Sequence, residues 1–180
     1  FDVLGRVIQT ITPAAGGVRS LTDVLGKQLR RWCAREYRHR WAYDELRRLT
    51  HCYVQLATHE WLAERTVWGN SIADAAVNAR GRTTRGFDQS GAVVDMIYDF
   101  KGNQLSATRK LATSYQTDLD WMALAEVTDV AALDAAAAPQ LGPDAFVTTS
   151  VYDALNRVVS RTTPDASEAI NTYNVANLLE

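Results

Sequence analysis

The chain has 180 residues, 47% of them hydrophobic and 22% charged, with a formal net charge of −2. This is ordinary soluble-protein composition with room for a substantial core, and its slight acidity argues against nucleic acid as a partner. No apolar run approaches the roughly 18 residues that a membrane span needs.

In chain order, the first element is a phrase that returns. Phe1-Asp2-Val3-Leu4-Gly5-Arg6 comes back as Thr22-Asp23-Val24-Leu25-Gly26-Lys27 and, more loosely, as Tyr43-Asp44-Glu45-Leu46-Arg47-Arg48, a spacing of 21 residues each time. Tyr152-Asp153-Ala154-Leu155-Asn156-Arg157 and Tyr173-Asn174-Val175-Ala176-Asn177-Leu178 are again 21 apart, and Phe87-Asp88 and Tyr98-Asp99 lie between. A fixed period of this size means one small unit used repeatedly. Units therefore start near 1, 22, 43, 87, 98, 152 and 173.

Each unit reads as an aromatic-led hairpin. Asp-x-x-Gly is turn chemistry: the carboxylate accepts from amides ahead of it and glycine supplies a positive φ. Turns are expected at Asp2 to Gly5, Asp23 to Gly26, Asp44 to Arg47, Asp99 to Gly102 and Asp153 to Asn156. The runs Arg6–Pro13 and Arg157–Pro164, β-branched and closed by proline, are the strands that follow. The stretch from Lys27 to Arg40 fits an amphipathic helix tolerably. As a strand it places Leu29, Cys33, Tyr37 and Trp41 on one face and Arg30, Glu36, Arg38 and Arg40 on the other. The repeat register selects strand.

Two segments break the pattern. Asn70 to Arg80 has high helix propensity and reads as a helical turn. Residues 113–143 read as an insertion in which Asp120–Glu126 and Ala131–Ala138 form one or two short helices, ended by Pro139, Gly142 and Pro143.

Residues with chemistry do not assemble into a site. His59-Glu60 begins a metalloprotease-like motif, but Ala63 stands where the second histidine is required. Asp88 occupies the first glycine position that a nucleophile elbow around Ser90 would need. Gly26-Lys27 is followed by Gln28, so there is no phosphate loop. The repeated aspartates are lone carboxylates in turns, better suited to capping than to calcium. Cys33 and Cys52 read as two free thiols, with a pair open only in an oxidising compartment. Arg30, Arg31, Trp32, Arg35, Tyr37, Arg38, Arg40 and Trp41 mix bases and aromatics as a single-strand nucleic-acid or sugar site does, but an alternating strand with solvated or cross-paired arginines explains them as well. No catalytic, cofactor-binding or metal-binding residue is assigned, and the chain is expected not to be an enzyme.

The phrases YDALNRVVSRTTPD, YDFKGNQLSATRKLA and TYNVANLLE resemble the YD repeats of Rhs proteins. RGFDQSGAVVDMIYDFKGNQL and DLDWMAL are most similar to the shell-forming C component of bacterial insecticidal toxin complexes. The likeness is strong over Gly81–Ala112 and Val147–Glu180 and weaker over Leu56–Asn78. The resemblance implies an all-β fold: antiparallel hairpins forming part of a spiralling sheet that closes into a hollow shell, with short helical insertions. It also implies a function, a secreted bacterial shell that encloses a toxic C-terminal segment before delivery. Its partners would be the rest of its own Rhs shell, the enclosed segment and other toxin-complex subunits. The family's self-cleavage motif is not recognisable here, so no catalytic role is carried over. Because Phe1 opens inside one repeat and Glu180 closes inside another, a segment of a longer chain is expected, with any targeting signals outside it. The alternative is an extracellular YD-repeat module that binds carbohydrate or a cell-surface receptor, which would expose Trp32, Trp41, Trp61 and Trp68 together on one outer face.

Overall fold

The computed structural model describes residues 1–14 and 16–180. It is all-β. Among the described residues twelve strands form one sheet in strict chain order: β1 (Gln9–Thr12), β2 (Gly16–Thr22), β3 (Gln28–Cys33), β4 (Arg38–Tyr43), β5 (Leu49–Leu56), β6 (His59–Trp68), β7 (Thr83–Asp88), β8 (Gly91–Tyr98), β9 (Gln104–Leu111), β10 (Phe146–Tyr152), β11 (Val158–Thr162) and β12 (Glu168–Ile170). Within each unit neighbours pair antiparallel, most of them through short hairpin connections. The chain divides into two compact units: residues 1–65 with 117–137, and residues 66–116 with 138–180.

Among the described residues helix is confined to the two segments where the repeat breaks. Between β6 and β7 lies α1 (Ile72–Ala76), started by a capping box in which Ser71 and Asp74 satisfy each other's backbone amides. Between β9 and β10 come a 3-10 turn (Met122–Leu124), α2 (Val130–Ala137) and a second 3-10 turn (Ala138–Gln140). Asp129 starts α2 by accepting from the Ala132 amide at 2.8 Å.

One expectation is corrected. Residues 27–40 are not a single strand, because the chain reverses after Cys33 and resumes at Arg38. The Glu36 amide donates to the Cys33 carbonyl at 3.1 Å, and Glu36 takes φ +66°. Tyr37 and Glu36 thus leave the faces assigned to them, whereas Arg30, Arg38 and Arg40 still share one.

Where the core sits differs between the units. In the first, Cys52, Tyr53, Leu62 and Ala63 of β5 and β6 are buried with Leu119, Trp121, Leu124, Leu133 and Ala137 of the insertion. A strand pair with one face open to water cannot bury a side chain as large as Trp121, which is fully covered here. In the second, Ala79, Phe87, Ala92, Val94 and Tyr98 are the buried set.

Candidate functional site: a ladder of aspartate turns

The repeated phrase folds each time into one backbone device. In Asp2–Arg6 the Gly5 amide donates to the Asp2 carbonyl (3.0 Å) and the Asp2 amide to the Arg6 carbonyl (2.8 Å). The same pair of bonds closes the turns that open at Asp23, Asp44, Asp99, Asp153 and Asn174. The fourth residue of each is left-handed: Gly5 (φ 75°), Gly26 (82°), Arg47 (60°), Gly102 (100°), Asn156 (62°) and Asn177 (66°). This is a type I turn followed by a bulge, which explains the register shifts seen at Leu21/Thr22, Ala42/Tyr43, Ile97/Tyr98 and Val151/Tyr152.

The carboxylate explains why aspartate recurs. Asp153 Oδ1 accepts from the amides of Leu155 (2.8 Å) and Arg157 (3.0 Å), while Oδ2 takes the Arg157 guanidinium at 2.6 Å. Asp2 with Arg6 and Asp44 with Arg48 repeat that fork; Asn103 replaces the arginine beside Asp99. The Arg6 amide leads in holding Asp2 below the ordinary carboxylate range, and the Arg157 amide does the same for Asp153. At Asp44 burial pushes the other way, but the amide and guanidinium of Arg48 outweigh it.

The aromatic that leads a unit locks onto the preceding turn. Tyr43, Tyr98 and Tyr173 donate their hydroxyls to the carbonyls of Gln28, Thr83 and Val158, each 15 residues earlier, at 2.8, 2.8 and 2.9 Å. One residue before each acceptor stands a base that covers the ring: Lys27 at 5.4 Å, Arg82 at 5.6 Å and Arg157 at 4.3 Å. Successive turns are also tied directly. Arg6 donates to the Asp23 carbonyl (2.6 Å) and Arg47 pairs with Asp23. In the second unit Lys101 reaches the Ala154 carbonyl (2.6 Å), Asn103 reaches Asn156 (2.9 Å) and Arg157 reaches Asn177. In each unit these turns lie at one end of the strands, because every second connection of an antiparallel sheet returns to the same end. Asp88 is the exception among the Phe/Tyr-Asp pairs: it opens a connection at the other end and forks with Arg109 at 2.8 and 2.6 Å.

In the first unit the insertion covers one face of β5 and β6. The Trp121 amide donates to the Leu62 carbonyl (3.0 Å), and Asp120 Oδ1 accepts from the Leu62 amide (3.1 Å). His51 Nε2 donates to the Ala125 carbonyl (3.0 Å), and Arg65 reaches the Val127 carbonyl (3.3 Å). Burial pushes the pKa of both His51 and Arg65 down.

The residues weighed from sequence are placed apart. Cys33 and Cys52 are free; β4 separates their strands, a gap of about 10 Å that a disulfide cannot cross. Burial, helped by Glu64, pushes the Cys52 thiol up to about 12, so it is inert at neutral pH. Among the described residues no group of His, Cys, Asp or Glu could hold a metal ion. The histidines instead stack on an aromatic two positions on: His39 on Trp41, His51 on Tyr53 and His59 on Trp61, with ring centroids 5.7, 5.6 and 5.6 Å apart. The tripeptides HRW, HCY and HEW were the available signal, since alternate residues of a strand share a face.

No protein-family model and no curated protein matches the chain. Solved structures do: this is the Rhs-like β-sheet fold of Tc toxins. The crystal structure of TcdB2-TccC3-Cdc42 superposes with a TM-score of 0.83 and 22% identity, over 99% of this chain and 8% of that one. TcdB2-TccC3 gives 0.83 and 23%, again over 99% and 8%. A Photorhabdus luminescens Tc holotoxin pore with a mutated TccC3 gives 0.84 and 23% over the same shares. The chain thus spans about a twelfth of the length of the chains it matches.

Proposed function

We propose that the chain is a non-catalytic structural segment of an Rhs-type toxin shell, one that encloses a C-terminal toxic cargo and acts outside the cell that makes it. The observation that carries this reading is the ladder: turn after turn is tied to the next through arginine, asparagine and tyrosine, so the unit extends a sheet. The whole-chain likeness to TcdB2-TccC3 supports it. The partners proposed are further hairpins of the same shell, the cargo and other subunits of a toxin complex. Among the described residues no helix is long and apolar enough to cross a membrane.

The tryptophans do not favour the carbohydrate- or receptor-binding alternative. Trp32, Trp41 and Trp61 are half-buried, and the strand register puts Trp32 on the face opposite Trp41 and Trp61. Trp68 in the second unit is half-buried too.

Electron microscopy of the full protein tests the proposal, combined with limited proteolysis. The expected result is a hollow closed particle whose C-terminal segment resists protease until the particle is opened. A solid particle, or a C-terminal segment cleaved at the rate of a free peptide, overturns it.

A further inference from the structure

On one face of the first unit, cross-strand register assembles a row and a half of arginines. Gln9, Arg19, Trp32, Arg38, Gln55 and Glu60 stand opposite one another across β1 to β6. Two residues along the strands, on the same face, runs the row Leu21, Arg30, Arg40, Tyr53 and Leu62. The two rows hold four arginines and one acid. Glu60 is taken by Arg40, which binds it through Nε at 3.3 Å and Nη2 at 3.0 Å and lies over the Tyr53 ring at 3.7 Å. Among the described residues Arg19, Arg30 and Arg38 pair with no carboxylate, and all three are exposed. Arg30 stands directly opposite Arg40, whose charge Glu60 meets, so Arg30 adds to the unpaired positive charge of Arg19 and Arg38.

The surface here is also shaped. Gly17, with no side chain, floors a cleft of about 510 Å³ between Arg19 and Trp32. On the other side of Trp32 a second cleft of about 370 Å³ reaches Arg38 and Glu36. A half-buried indole therefore stands between two clefts, each with an unpaired guanidinium. The exposed side chains of Leu21 and Ile11 extend the same face with apolar area.

We infer that this face is a docking surface for an acidic polypeptide segment, held by carboxylates on Arg19 and Arg38 to either side of Trp32. A guanidinium fork matches a carboxylate bidentately. Extended peptide advances about 3.3 Å per residue, and the strands are about 4.8 Å apart, so glutamates two or three residues apart reach both arginines. Nucleic acid fits less well: one indole can stack one base, and Glu36 in the second cleft repels a continuous phosphate backbone. The inference does not depend on the shell reading, because it follows from the register and charge of this unit alone.

The test uses the full protein and a fluorescent probe peptide of alternating glutamate and alanine, roughly eight residues long so as to cross the face. Anisotropy should show binding that weakens with salt, and a lysine-for-glutamate peptide should not bind. The double variant R19Q/R38Q should weaken binding about tenfold or more. Trp32→Leu should weaken it less, and Arg161→Gln, an exposed arginine of the second unit, should leave it unchanged. Both arginines are exposed, so the thermal midpoint of the double variant should match the parent. Equal binding by the parent and the double variant overturns the inference. So does equal binding of the lysine peptide, or tighter binding of an oligothymidylate of matching charge.

Discussion

The two ends of the strands solve the same problem with different chemistry. At one end, connections close on a buttressed carboxylate: Asp23 caps the amides of Leu25 and Lys27, and Asp44 those around Arg48. At the other, two turns close on the same backbone bonds with no carboxylate at the first position, although Asp165 caps one of them from within and Asp88, forked by Arg109, opens the β7–β8 connection. Cys33 to Tyr37 and Thr163 to Ser167 make the identical pair of backbone bonds, with Glu36 (φ 66°) and Ala166 (φ 65°) in the left-handed position. The connection from β5 to β6 turns on Ala57 at φ 53°. The inter-turn bonds described above belong to the aspartate end, which can therefore carry register from hairpin to hairpin. The long insertion departs from the opposite end, between β9 and β10, whereas the short one carrying α1 lies between β6 and β7.

The insertion that departs from that end is held by burial on the face of β5 and β6, and the largest expected effect breaks it. Trp121→Ala removes a fully buried indole from a unit whose other fully buried large side chains are Leu62, Leu124 and Leu133, which should cost about 3–5 kcal/mol. Denaturant unfolding, with protease sensitivity of residues 117–137 read in parallel, checks this. Loss of less than about 1 kcal/mol would mean that backbone bonds to Leu62 hold the insertion without the ring.

At the aspartate end the most sensitive position is the left-handed one. Gly102 lies at φ +100°, and a Cβ there would meet the Arg82 guanidinium. Gly102→Val should lower stability by about 1–3 kcal/mol. Asp44→Ala removes the acceptor of the Arg48 amide and guanidinium from a site only 23% exposed, for a loss of about 1–2 kcal/mol. Thr163→Ala, which trims the corresponding first residue at the other end, should cost less than Asp44→Ala, because the Thr163 hydroxyl bonds to Asp165 and the Ser167 carbonyl are exposed to water. Equal losses would erase the distinction between the two ends.

Glycine sharpens it from the other direction. Glu36→Gly relieves a left-handed residue at the opposite end and should stabilise by about 0.5–1 kcal/mol. Arg47→Gly makes the same backbone change at the aspartate end but deletes the ion pair with Asp23, so its gain should be smaller or absent. Thermal midpoints of the two variants decide the order.

This asymmetry also governs what the sequence discloses. The aspartate turns are legible because the chemistry calls for Asp or Asn at one position and, in five of the six turns, glycine or asparagine three later, Arg47 being the exception; helix among the described residues is confined to 70–80 and 113–143. The turn after Cys33 is not, because Glu36 adopts a left-handed conformation without either signature residue. The tyrosine locks leave little trace, since their acceptors are backbone carbonyls of Gln28, Thr83 and Val158, which any residue supplies. The arginine face was half visible: Arg30, Arg38 and Arg40 fell on one side in the strand reading. Trp32 and Arg19 joined them only once the register of β2, β3 and β4 was known.

The smallest expected effect is a pH dependence carried by the covered face of the first unit. His51 donates to the Ala125 carbonyl through Nε2, and its Nδ1 lies 2.9 Å from Thr50 Oγ1. Burial leads in holding its pKa below 6.5; Arg65, directly opposite on β6, and Arg40 act in the same sense, against the Ala125 carbonyl and Glu126. The unfolded chain therefore takes up the proton first as pH falls. The stability gained by keeping His51 neutral is fully present above pH 6.5 and is lost as pH falls through the folded value. The aspartate caps respond later: Asp165, held at about 2 by the hydroxyls of Thr163 and Ser167, gives up its contribution only between pH 3.8 and about 2. Unfolding midpoints between pH 7.5 and 5 should thus decline in the parent and decline less in His51→Gln, whose amide keeps a donor for Ala125 but cannot take the charge. Parallel declines would place the titrating group elsewhere, with His39, also held low by burial and by Arg31, the next to substitute.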